Sequence, residues 1–345
     1  MKNKVLILLA IFALGLVSCK KENFSPSQDQ YKSVSKDAGT YRLSHWMEDI
    51  YKDRQETPLN EIVIPGAHDA ATYKISMDND WARDAAWYKK LGGKRPAYFW
   101  SFTTRKSIYE LLEIGVRDFD LRIEHNDNGY FSYHGLQSTP LSEIIDDYAR
   151  FIHAHPKEIV IIELRCDEMD QHEYEHVLGE FLMQVGKSKV LAQTHGLYPN
   201  SPIGDYWKDG KSLLIHCDRN AVINGVYALK DTYMGTWAQS DYANNVMEYL
   251  YNHIKTRPMD KFYSSGFCQT PSASSIVGGA FEHPKSLEDL VCHPSKYGAV
   301  DTKADEWLPK IKQIAEENGK KLNIVTVDFP EFDNLSKKIV DMNLK

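Results

Sequence analysis

The chain is predicted to fold as an α/β protein, an irregular (β/α) barrel of TIM type built as one catalytic domain. Three observations predict it. Short runs of β-forming apolar residues recur along the chain, amphipathic stretches of helical period lie between several of them, and no linker or internal repeat interrupts residues 41–345. Strands alternating with helices imply a parallel sheet with crossover helices. No glycine-rich phosphate loop follows the first strand, which argues against an open doubly wound sheet.

Taken in order, strands are expected at Glu61–Ile64, Val116–Leu121, Tyr130–Tyr133, Ile159–Leu164, Ser212–His216, Lys261–Phe267 and Asn323–Val327. Helices are expected at Leu141–His153, His172–Val185, Ala243–Ile254 and Lys303–Asn318, where apolar residues return every three or four positions. In a barrel of this kind the active site gathers just past the C-terminal ends of the strands.

Residues 1–18 read as a secretory leader. Lys2 and Lys4 precede an apolar run, Val5–Val17, too short to span a membrane comfortably. The ending Leu16-Val17-Ser18-Cys19 resembles the lipobox of bacterial lipoproteins, which implies a lipidated Cys19. Residues 19–40 are then a flexible tether, and the protein an exported, membrane-anchored monomer on a periplasmic or surface face. A plain cleavable leader followed by an unmodified cysteine is the competing reading.

The 345 residues are 42% hydrophobic and 26% charged, ordinary globular usage. A net charge of −7 argues against a nucleic-acid partner, which calls for a basic footprint. Cys166, Cys217, Cys268 and Cys292 show no CxxC spacing, so no four-cysteine zinc site is signalled. A disulfide and buried free thiols both remain open.

The chemistry lies at the strand ends. They carry His68-Asp69, Asp120 with Arg122, His134-Gly135, Arg165 and Asp328. Two histidines can serve as general base and general acid near neutral pH, each oriented by a carboxylate. An arginine's planar fork suits a phosphate. Together they suggest phosphoryl transfer without a nucleophilic side chain.

The blocks Asn60–Asp69 (NEIVIPGAHD) and Gly115–Arg122 (GVRDFDLR), followed by His134-Gly135, resemble bacterial phosphatidylinositol-specific phospholipase C. The likeness runs from about Trp46 to Asp328 and is strong between Pro58 and Arg165. It implies a barrel enzyme acting on an inositol phospholipid at a membrane surface. The products would be diacylglycerol and inositol 1,2-cyclic phosphate. By the same resemblance His68 is the base oriented by Asp328, and His134 the acid paired with Asp69. Arg122, held by Asp120, neutralises the phosphate. Calcium-dependent relatives carry acidic residues where Arg122 stands and near Arg165, so this chain is expected to need no metal and no cofactor. Further along the match weakens. Arg219, Asp241 and Tyr242 resemble an inositol-binding arginine, aspartate and stacking tyrosine, with Tyr242 equally readable as a core aromatic.

Rival readings remain. A metal-dependent glycerophosphodiester phosphodiesterase shares the barrel but has acidic ligands where this chain has Arg122. A non-catalytic inositol-lipid-binding lipoprotein would have lost part of the constellation, and none is lost. His172-Glu173-Tyr174-Glu175-His176 is a literal zinc-protease motif. At about 100° per residue its histidines lie opposite the apolar stripe Tyr174, Val177, Leu178, Phe181, and so face solvent on a crossover helix. The stretch Trp81–Trp100 mixes aromatics with Lys and Arg. It reads either as a membrane-facing rim, with Trp100 resembling a rim tryptophan, or as a packed loop; most of Trp81–Lys94 resembles an insertion.

Overall fold

A computed structural model describes residues 41–90, 92–166, 169–191, 196–217, 222–223, 226–227 and 231–344. The expectations for the leader, the tether and Cys19 fall outside the described residues. So does Arg219.

Eleven strands are described: β1 Ile64–Ala67, β2 Asp118–Asn126, β3 Gly129–His134, β4 Leu136–Pro140, β5 Val160–Arg165, β6 Leu213–His216, β7 Val222–Ile223, β8 Val226–Tyr227, β9 Tyr233–Thr236, β10 Phe262–Gly266 and β11 Ile324–Val327. Seven of them form a parallel sheet in the order β6-β5-β2-β1-β11-β10-β9. Parallel strands covered on both faces carry continuous apolar runs, which is why β5, β6 and β11 stand out in the sequence. β2 runs past its parallel partners and turns into the antiparallel hairpin with β3 and β4.

Among the described residues no backbone ladder joins β6 to β9, but side chains do. The Thr232 hydroxyl lies 2.8 Å from His216 Nδ1, and the His216 and Tyr233 rings are 5.4 Å apart. The Tyr233 hydroxyl reaches Asp118 Oδ2 on β2 at 3.2 Å. The sheet therefore curls on itself, the irregular barrel that the alternation predicts.

The first strand differs from expectation. Leu59–Glu61 is a 3-10 turn and β1 begins at Ile64. Side-chain amides claim the preceding backbone: Asn343 accepts from Val63 N–H at 2.9 Å and donates to Val63 O at 2.8 Å. Gly66 sits where a Cβ would meet Asp118 Oδ2 at 2.7 Å. The helices match closely, at Leu141–Ala154, Gln171–Phe181, Ala243–His253 and Ala304–Glu317. Asp170 and Glu173 close a capping box at the second of these, with bonds of 2.9 and 3.0 Å. β9, with Gly235 at its centre, carries no pattern the sequence reading recognised.

Cys166, Cys217, Cys268 and Cys292 are buried and lie outside any disulfide. No helix among the described residues is long and apolar enough to cross a membrane. Arg117, fully buried, donates to Glu158 at 2.9 Å and to the carbonyls of Leu112 and Val116 at 2.6 and 2.8 Å. That satisfied cation ties β2 to the turn before it.

Candidate active site

A cavity of about 700 Å³ opens at the C-terminal ends of the parallel strands. Strand geometry explains what lines it. Side chains at i and i+2 share a face, so β2 sends Asp118, Asp120 and Arg122 the same way, and β5 sends Glu163 and Arg165. His68 extends the β1–β11 ladder, its N–H donating to Val327 O at 3.0 Å. Asp69 follows with φ 43°, and Phe329, after Asp328, with φ 47°. Left-handed backbone at two non-glycine residues costs energy that the surrounding fold sustains.

The sequence-predicted centre is assembled. His68 Nδ1 lies 2.8 Å from Asp328 Oδ1, and Arg122 Nη2 lies 3.1 Å from His68 Nε2. Carboxylate oxygen accepts and guanidinium donates, so the proton sits on Nδ1 and the Nε2 lone pair accepts from Arg122. That is the tautomer a general base needs. When protonated, Nε2 has Asp69 Oδ2 at 3.2 Å. His134 Nδ1 donates to Ser101 O at 3.0 Å and lies 3.1 Å from Asp69 Oδ2. The two imidazole centroids are 6.1 Å apart. Arg122 bridges both acids, Nε at 2.6 Å from Asp69 Oδ1 and Nη2 at 2.9 Å from Asp120 Oδ2. Arg165 Nε stands 3.3 Å from Asp120 Oδ1, while its Nη2 donates to Glu163 at 2.9 Å.

The electrostatics follow from this crowding. Burial opposes an imidazolium at His68, but Asp69 and Asp328 outweigh it and raise its pKa above the ordinary value. At Asp120 burial is likewise outweighed, here by Arg122 and Arg165 with help from His68, and the carboxyl titrates well below its usual range. A raised histidine pKa stabilises the fold fully below its unfolded value of about 6.5 and loses that contribution as pH climbs through the native value. Asp328→Asn is therefore expected to move the His68 ring titration, followed by NMR, to lower pH. An unmoved titration would remove Asp328 as the orienting group.

Among the described residues, two groups of side chains place ligand atoms within 4.8 Å of one another, His68-Asp69-Asp120 and His68-Cys268-Asp328. In the first, the Arg122 guanidinium already lies between the carboxylates, where a cation would have to displace it. The HExxH histidines belong to neither group, and His172 and His176 are exposed, as the helical wheel indicates.

Two predicted substrate contacts lie elsewhere. Asp241 and Tyr242 are not among the residues lining the cavity. The Asp241 carboxylate accepts from Ser272 Oγ at 2.6 Å, and Tyr242, 48% exposed, packs its ring edge-on to Tyr297 at 5.1 Å. Trp237 and Gln239 line that wall instead. The Trp237 ring lies 4.6 Å from His68, held by its indole N–H donating to Thr270 at 2.6 Å. Sequence reasoning missed Trp237 because it missed β9, whose C-terminal end it follows. Asp84, Trp87 and Tyr88 also line the cavity. Within Trp81–Trp100, Trp87 and Phe99 are exposed, whereas Tyr88 is buried, and so is Trp100, which lines the cavity from within instead of standing at a rim.

No family model matches the chain. It is 22% identical to PI-PLC X domain-containing protein 1 of Mus musculus, over 87% of this chain and 86% of that one. Against the namesake from Danio rerio identity is 24%, over 82% and 91%. Among solved structures, the phosphatidylinositol-specific phospholipase C of Listeria monocytogenes superposes with a TM-score of 0.61 at 17% identity, covering 88% of this chain and all of that one. A Staphylococcus aureus phosphatidylinositol-specific phospholipase C gives 0.54 at 17% identity, over 87% and 99%. The alternation of strands and helices, the curled parallel sheet and these superpositions agree: the chain has the phosphatidylinositol-specific phospholipase C-like barrel fold.

Proposed function

We propose that the protein is a metal-independent phosphatidylinositol phospholipase C. His68 Nε2 takes the proton of the inositol 2-hydroxyl, whose oxygen attacks phosphorus. The bond from phosphorus to the glycerol oxygen breaks, and His134 gives that oxygen a proton. Diacylglycerol and inositol 1,2-cyclic phosphate leave. Arg122 donates to the phosphate oxygens as charge shifts onto them. One observation carries this reading: two imidazoles 6.1 Å apart, His68 beside Asp328 and His134 beside Asp69, with a guanidinium fixed between Asp69 and Asp120. That fixed charge does the work a bound cation does in metal-dependent phosphodiesterases.

Phosphatidylinositol in mixed micelles is expected to be cleaved to diacylglycerol at an unchanged rate in excess EDTA. Loss of activity on chelation, restored by Ca2+, would instead favour the glycerophosphodiester phosphodiesterase reading. Absence of cleavage under all conditions would favour a lipid-binding role.

The N-terminal motif supports an exported lipoprotein anchored through Cys19. Cys19→Ala is then expected to move the protein from the membrane to the soluble envelope fraction. Equal partition of both forms would refute the anchor.

A further inference from the structure

The segment Trp81–Lys94 resembles an insertion, and the geometry gives its first part a task. It brackets the turn that carries the proposed acid. Trp81 forms an antiparallel bridge with Leu136, and Ala82 N–H donates to Gly135 O at 3.1 Å. Both oxygens of the Asp84 carboxylate accept from Gly135 N–H, at 2.9 and 3.2 Å. Gly135 has φ +70°, and Tyr88 ring carbons stand 2.6 Å from where a Cβ would project. The Tyr88 ring lies edge-on to His134 at 6.3 Å.

His134 is faced by few other groups. Asp69 lies 3.1 Å from Nδ1, the Ser101 carbonyl 3.0 Å, and the His68 ring 6.1 Å away; Arg122 is felt through Asp69. Asp69 is shared three ways, since Arg122 takes Oδ1 while Oδ2 lies 3.2 Å from His68. One divided carboxylate is a weak means of keeping a second imidazole charged. We propose that Asp84 is a positioning residue for His134, and that the inserted segment fixes the acid's turn and supplies it with a second negative charge. The inference rests on His134 being the acid that protonates the leaving oxygen. Burial pushes the Asp84 carboxyl up, and the strongest influence opposing that rise is His134.

The test uses leaving groups. A diacylglycerol alkoxide needs a proton from the acid, whereas an aryl oxide does not. Asp84→Asn keeps an oxygen for Gly135 N–H but removes the charge; Asp84→Ala removes both. Asp84→Asn is expected to slow phosphatidylinositol cleavage about ten-fold, a fraction of the ~10²–10⁴ a general acid supplies. Cleavage of 4-methylumbelliferyl inositol 1-phosphate should change less than about two-fold on the same basis. Asp84→Ala should slow the lipid reaction further. Equal slowing of both substrates would overturn the proposal. If the parent cleaves neither substrate, the reaction assignment on which the proposal rests is overturned instead.

Discussion

His68→Ala is expected to lower the turnover of phosphatidylinositol by about 10³-fold, within the ~10²–10⁴ range of a positioned base. The loss should fall on kcat more than on KM, because the ring receives a proton only as the 2-hydroxyl attacks. The substitution also leaves Asp328, 1% exposed, without its nearest hydrogen-bond donor. A buried carboxylate so orphaned costs about 1–3 kcal/mol, so the urea midpoint should fall too. His68→Asn separates the two effects: its amide can still donate toward Asp328 but cannot act as a base near neutral pH. It should recover part of the stability and none of the turnover. Initial rates on lipid micelles and urea unfolding measure both. Retention of more than a tenth of parental kcat in His68→Ala would end the base assignment.

How much of this was legible in the sequence depended on how local each signal is. β5 and β11 carry apolar runs because both faces are covered, so their ends, and with them Arg165 and Asp328, stood out in the sequence, whereas the first strand was read three residues early and His68 still fell just beyond it. Asp120 and Arg122 followed from strand alternation. β9 is four residues with a glycine and the exposed Met234, so neither run nor alternation marks it, and Trp237 was lost with it. Asp84 was invisible for another reason: its partner Gly135 is 51 residues away, and nothing local to either announces the contact. The HExxH histidines show the converse. The spacing was genuine, but the apolar stripe on the same helix assigned them to solvent. Asp241 and Tyr242 were placed by resemblance where the match was weakest, and a neighbouring serine, not the cavity, holds the Asp241 carboxylate.

Removal of Arg122 should be the other large effect, and it reads out on two axes. Arg122→Ala takes away the donors for the phosphate oxygens, for which a loss of about 10²–10³ in kcat is expected from one preorganised stabilising group. It also leaves Asp69, with a fully buried side chain, and Asp120 facing each other across the vacated space. Breaking a buried pair from one side costs about 3–5 kcal/mol. Arg165, 3.3 Å from Asp120, moderates that loss at one of the two acids. The sign with pH follows from Asp120. Its native pKa is depressed, so its stabilising contribution is complete above the unfolded value of about 3.9 and fades as pH falls through the native value. The stability gap between parent and Arg122→Ala should therefore be widest near neutral pH and narrow below about pH 4. Arg122→Lys keeps the charge but not the fork, and one ammonium cannot span both carboxylates and a phosphate. It should regain most of the urea midpoint and little of the turnover. A lysine variant that restored more than half of parental kcat would show that charge alone suffices, and the fixed fork between Asp69 and Asp120 would lose its place in the mechanism.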